Sequence, residues 1–157
     1  MADIIVLTET GHLYITPVGF LVYAKNYYSA GINWPSDEKY SPVPYFLFSR
    51  SIELGLKAFS LANGEKMSVL RSKKRVGHDL LLALENAQSY ALTKFVQITA
   101  EEEIEWRKAN SYYADKGFEY FEFKSIFDKK NLPDLNILQT YSGKLLENIS
   151  QFVLSCA

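Results

Sequence analysis

The sequence predicts a single all-α domain spanning residues 1–157, an antiparallel bundle of four or five long helices with little strand beyond a small N-terminal hairpin. Three observations carry this. Residues 45–62 are apolar around most of a helical circumference, the mark of a central, buried helix. The flanking segments open on helix caps and carry apolar stripes of helical period. No Gly-rich phosphate loop, nucleophile elbow, internal repeat or linker interrupts them. A chain with 48% hydrophobic residues can build a core, so disorder is excluded as the default.

In chain order, residues 3–7 and 13–15 are β-prone runs around Thr8-Glu9-Thr10-Gly11 and suit a small hairpin. Thr16-Pro17 is an N-cap followed by proline at the first helical position, so a helix is expected over residues 18–30, stopped by Gly31. Residues 32–40 read as a loop, in which Trp34 either anchors the loop or covers a polar site beside Arg50. Ser41, Pro42 and Pro44 prepare the central helix, and Asn63-Gly64 ends it. Gly55, mid-helix, costs about 1 kcal/mol relative to alanine, which close approach of a second helix would explain.

Arg50, Glu53 and Lys57 share the one polar sector of this helix at i,i+3 and i,i+4 spacing. With Phe46, Leu54 and Leu61 close by, they form either an ion-pair ladder at a helix seam or a polar site reached from solvent. A basic connection follows: Lys66, Arg71, Lys73, Lys74 and Arg75, with a short helix at residues 67–70. His78 and Asp79 open the next helix, expected over residues 80–92 with a core stripe of Leu80, Leu84, Ala87 and Ala91. Asp79 suits the positive end of that helix. An imidazole in this setting serves as a general base or as a hydrogen-bonding strut.

Thr99-Ala100-Glu101-Glu102 is a capping box opening a helix that reaches to Gly117. Residues 118–123 alternate aromatics with acids and suit a short strand or a packed turn. Leu135, Leu138, Tyr141, Leu145, Ile149, Phe152 and Val153 line a last long helix, which closes the bundle or meets a second subunit.

The segments SRSIELGLKAFSLANG (residues 49–64) and RVGHDL (residues 75–80) resemble the HEPN superfamily of helical domains. The match rests on Glu53, Leu56-Lys57-Ala58 and His78-Asp79-Leu80, and WRKANSYYADKGFEYF (residues 106–121) is similar to the Tyr-rich tail of bacterial members. The nucleotidyltransferase-associated branch is the closer likeness. It implies a non-catalytic module binding a nucleotide, RNA or a partner such as a nucleotidyltransferase, in a defence or toxin–antitoxin setting, and a homodimer. The candidate ligand-binding residues are Arg50, Glu53, Lys57, Lys73, Lys74, Arg75 and Asp79. HEPN ribonucleases are recognised by an Arg and a His separated by a short interval. Arg71 and His78, with six residues between them, fit that pattern, although the interval SKKRVG contains Gly77 and reads as a loop. One alternative reading is therefore a metal-independent endoribonuclease using Arg71 and His78; another is a structural helical protein acting mainly through self-association, motivated by the Tyr and Phe richness and the long C-terminal stripe.

A net charge of −1 gives no global nucleic-acid footprint, so affinity for phosphate would come from the local cations. One cysteine excludes an intramolecular disulfide and favours a reducing compartment. Two histidines far from Cys156 in sequence make a metal site unexpected. No cofactor is expected, no run suits a membrane span, and the start lacks a signal peptide, so a cytoplasmic location is expected.

Overall fold

The computed structural model describes residues 16–35, 40–119 and 131–156, and the backbone of two strands. The strands, β1 (Ile5–Thr8) and β2 (Gly11–Tyr14), pair antiparallel with Ile5 opposite Tyr14. The expected hairpin therefore forms. The other regular elements among the described residues are helical: α1 (Pro17–Ile32), α2 (Val43–Ala62), the short α3 (Met67–Arg71), α4 (Leu80–Ser89), α5 (Ala100–Tyr113) and α6 (Leu135–Ser155).

The chain is organised around α2. Every residue from 51 to 61 is buried, and this helix packs against α1, α4, α5 and α6, while α1 also meets α6. Gly55 has the reason its cost called for, although the neighbour is side chain rather than backbone: a Cβ there would lie 3.2 Å from Leu145 and Leu146 of α6. A polar thread crosses the same seam. Ser142 of α6 donates to Ser51 (2.9 Å), and Ser51 donates to the Ala24 carbonyl of α1 (2.8 Å). The α6 stripe, with Leu138, Tyr141, Leu145 and Ile149 fully buried, closes the bundle. That face is used within the chain's own core, so it offers no surface to a second subunit.

The starts of α1, α4 and α5 follow the sequence closely, whereas α2 begins at Val43, two positions before residue 45, with Pro42 as N-cap and no side-chain cap. Thr16 caps α1 by accepting from the Gly19 N–H at 2.9 Å. Asp134 caps α6, and Thr99 and Glu102 complete both halves of the capping box on α5. Helix ends depart from expectation. Gly31 does not stop α1, which runs to Ile32 with Asn33 as C-cap. Gly31 is a packing glycine, for a Cβ there would meet the Phe48 ring at 2.7 Å. The fourth helix ends at Ser89 rather than at residue 92, because Ala91 turns left-handed (φ 61°) into a 3₁₀ turn at Leu92–Lys94. Ala91 accordingly leaves the core stripe. Helix α5 ends at Tyr113, before Gly117, and Phe118 is buried in a packed turn stacked between Tyr45 and Tyr112. The remainder of the aromatic stretch expected at residues 118–123 lies outside the described residues from position 120 on.

Among the described residues no helix is long and apolar enough to cross a membrane, and no group of three or more His, Cys, Asp or Glu gathers.

Candidate functional site

The centre of the site is Glu53, a carboxylate with no solvent exposure. An isolated buried carboxylate is too costly to survive, so its partners define the site. Two come from its own helix: Lys57 Nζ lies 2.6 Å from Oε1, and Arg50 Nη1 lies 3.0 Å from Oε2. These are the i,i+4 and i,i+3 pairs legible in the sequence. The other two arrive from afar. His78 Nδ1 sits 3.2 Å and 3.3 Å from the two oxygens, and the Tyr113 hydroxyl donates to Oε2 through a very short hydrogen bond.

Burial alone would raise the pKa of Glu53. The hydrogen bond to His78 and the charges of Lys57 and Arg50 outweigh it and hold the carboxyl down at about 2. Tyr113 moves the other way: burial, then the adjacent Glu53 charge, push its hydroxyl above the ordinary tyrosine range. Arg50, against the opposing effect of burial, is raised by Glu53 and stays charged.

The backbone around His78 is tightly set. Helix α3 ends on Arg71, and residues 72–79 form the loop expected from SKKRVG. The Arg75 and Val76 N–H groups return to the Ser72 carbonyl, and Val76 is buried. Gly77 takes φ +54°, and a Cβ there would stand 3.0 Å from the Lys73 Cα, so glycine is required. Lys57 Nζ reaches the Gly77 carbonyl at 2.5 Å. Asp79 Oδ1 then caps α4, accepting from the Leu81 and Leu82 N–H groups at 2.9 Å and from Asn110 of α5.

Beside this network lies a cavity of ≈ 630 Å³. Arg50, Glu53, Leu54 and Lys57 of α2 form its floor. Phe20, Tyr23 and Tyr27 of α1 form one wall, and Met67, Leu70 and Arg71 of α3 with Gly77 and His78 form the other. The cavity thus joins an aromatic wall to three cations, of which Arg50 and Lys57 are paired with Glu53. Arg71 and the His78 ring, which is 53% exposed, both border it.

The sequence candidates therefore divide. Arg50, Glu53, Lys57, Arg71 and His78 come together at one cavity. Within that group Glu53 and Lys57 are consumed by internal bonds, and the ladder and the polar site turn out to be the same residues. Lys73, Lys74 and Arg75 are exposed and do not line it; Arg75 borders a separate shallow cleft with Glu65 and Asn86. Asp79 is a helix cap outside the cavity lining, its Oδ1 already serving two backbone N–H groups and Asn110. Trp34 lines a different hollow, with Tyr40, Tyr45 and Phe48, and does not cover Arg50. Sequence reasoning missed Tyr113 and Tyr23. The i,i+3,i+7 spacing of Phe20, Tyr23 and Tyr27 was the available signal for the aromatic wall; for Tyr113, which meets Glu53 across 60 positions, there was none.

Comparison with family models, curated proteins and solved structures returns no match for this chain.

Proposed function

We propose that this chain is a HEPN-like helical module that binds a nucleotide or a nucleotide of an RNA in the cavity between α1, α2 and α3. The observation that carries the reading is the meeting of the Phe20–Tyr23–Tyr27 wall with Arg50, Arg71 and His78 in one hollow. Aromatic faces take a base by stacking, and guanidinium groups take phosphate oxygens by paired hydrogen bonds. Lys73, Lys74 and Arg75, just outside, add long-range attraction for a longer anion. Titration of mononucleotides and short single-stranded RNA tests this. Saturable, salt-sensitive binding is expected, weakened about tenfold or more by Arg71→Ala or Tyr23→Ala. Reversing Lys73 and Lys74 should reduce the salt slope for RNA more than for mononucleotides. Absence of binding, or indifference to Arg71→Ala, overturns the reading.

A second reading, metal-independent RNA cleavage, is favoured by one observation: Arg71 and His78 border the same cavity despite the loop between them. In that chemistry the RNA 2′-oxygen bonds to the adjacent phosphorus as His78 takes its proton. The phosphorus–5′-oxygen bond breaks, and the leaving oxygen takes a proton from water while His78 later returns its proton to solvent, giving a cyclic phosphate and a free 5′-hydroxyl. Arg71 stabilises charge on the phosphate. Purified protein should then cut single-stranded RNA in chelator, and His78→Ala and Arg71→Ala should each abolish cutting. Equal background cleavage by wild type and His78→Ala leaves the binding reading alone.

A further inference from the structure

On the reading that His78 faces a bound ligand, we infer that Glu53, clamped by Tyr113 and Lys57, is a positioning residue. It fixes the His78 ring with a proton on Nδ1 and leaves Nε2 to the cavity as a hydrogen-bond acceptor.

The argument starts from the surroundings of Nδ1. That nitrogen lies 3.2 Å and 3.3 Å from the two Glu53 oxygens and 3.1 Å from Arg50 Nη1. A bare lone pair there would oppose two anionic oxygens, whereas an N–H satisfies one of them. Arg50 does not need the ring as acceptor, since Nη1 already donates to Oε2 at 3.0 Å. The carboxylate is itself immobile: Oε1 accepts from Lys57, Oε2 accepts from Arg50 and Tyr113, and no part of it reaches solvent. Lys57 also holds the Gly77 carbonyl, the residue preceding His78. One ammonium thereby fixes both the backbone beneath the ring and the carboxylate beside it.

The consequence is chemical. In a neutral imidazole a proton on Nδ1 makes Nε2 an acceptor. Nε2 stands beyond Cε1 from the buried carboxylate, on a ring that is half exposed at the cavity. It therefore favours a ligand that carries an O–H or N–H donor beside its anionic group, while Arg50 and Arg71 supply the donors for the anion. A ribose hydroxyl next to a phosphate meets both requirements.

The test is spectroscopic and uses the full chain. The sequence has two histidines, so His12→Gln leaves His78 as the single imidazole. Nitrogen-15 correlation spectra, recorded where the ring carries one proton, report which nitrogen holds it. The expected result is a predominant Nδ1–H form that is kept in Tyr113→Phe, where Oε2 has lost one donor and accepts more strongly, and that loses its preference in Glu53→Gln. Should Glu53→Gln fail to fold, Tyr113→Phe carries the comparison through a downfield move of the Nδ1–H proton, and an unmoved Nδ1–H proton there overturns the inference. A predominant Nε2–H form in the wild type overturns the inference, as does an Nδ1–H preference unchanged in Glu53→Gln. Titration of the same sample with uridine 3′-monophosphate separates the two levels. Movement of the Nε2 resonance supports the binding reading, and a static Nε2 beside an intact Nδ1–H signal overturns that reading while the positioning role of Glu53 stands.

Discussion

Replacing Glu53 by glutamine removes the charge on which Arg50, Lys57, Tyr113 and His78 converge, and the cost should depend on pH. In the folded chain the carboxyl sits at about 2, against 4.5 for a free glutamate side chain. A depressed value means the folded state holds the ionised form more tightly than the unfolded state does. The stabilisation is fully present above the unfolded value and is lost as pH falls from 4.5 toward 2. The difference corresponds to roughly 3 kcal/mol at neutral pH, and about 2 kcal/mol of it should be gone by pH 3. The neutral variant lacks this component and also leaves Lys57 buried without its counter-charge, so at pH 6 it should be less stable by about 3–5 kcal/mol. Urea denaturation of both proteins at pH 6 and pH 3 isolates the effect, because the other carboxylates cancel in the difference. With a slope of about 2 kcal/mol per molar, the two midpoints should lie about 2 M apart at pH 6 and draw together by about 1 M at pH 3. A gap of the same size at both pH values would refute the assignment of Glu53 as the ionised hub.

Other perturbations address the scaffold. Ser51→Ala should cost about 1–3 kcal/mol in thermal unfolding because it orphans the Ser142 hydroxyl, and the Ser51→Ala, Ser142→Ala double variant should be no worse than Ser51→Ala alone; strict additivity would contradict the shared bond. Gly31→Ala gains about 1 kcal/mol of helix propensity but drives a Cβ to 2.7 Å from Phe48, an overpacking cost of about 1–3 kcal/mol. A net loss is expected, relieved when Phe48→Leu is added, and a stabilised Gly31→Ala would be the contrary result. Asp79→Ala removes the cap of α4 and should lower stability by about 1–2 kcal/mol in the same melts.

What the sequence disclosed is what local chemistry decides. Thr16, Asp79 and Thr99 mark helix starts because their side chains bond N–H groups two or three residues away; Asp134 does the same at α6 and went unread. The α2 ladder was readable because i,i+3 and i,i+4 neighbours need no tertiary fold to meet. Helix ends were less legible. Gly31 looks like a terminator, and only the Phe48 ring, brought over by α2, reveals why glycine is there. Ala91 takes a left-handed conformation that alanine seldom signals. The site was half visible for the same reason. Arg50, Glu53 and Lys57 declare themselves as a unit, and Arg71 and His78 as a spacing. That all five face one cavity, with Tyr113 completing the shell, depends on the fold of the 72–79 loop and the docking of α5. Lys73, Lys74 and Arg75 drew attention by charge alone, and charge does not say which way a loop turns.

The position of α6 bears on how the molecule comes into being. Residues 51 to 61 of α2 are buried on all sides, and part of that cover is α6, whose Ser142 joins Ser51 across 91 positions of chain. During synthesis α1 and α2 leave the ribosome long before their third partner exists. A growing chain at that stage presents Gly55 and its apolar neighbours uncovered, with the Ser51 hydroxyl lacking its donor. Closing so distant a contact is a late and entropically costly event. Completion of the core, and with it a rigid setting for Glu53, waits for translation of the 135–155 segment, and until then this apolar face of the nascent chain stays uncovered.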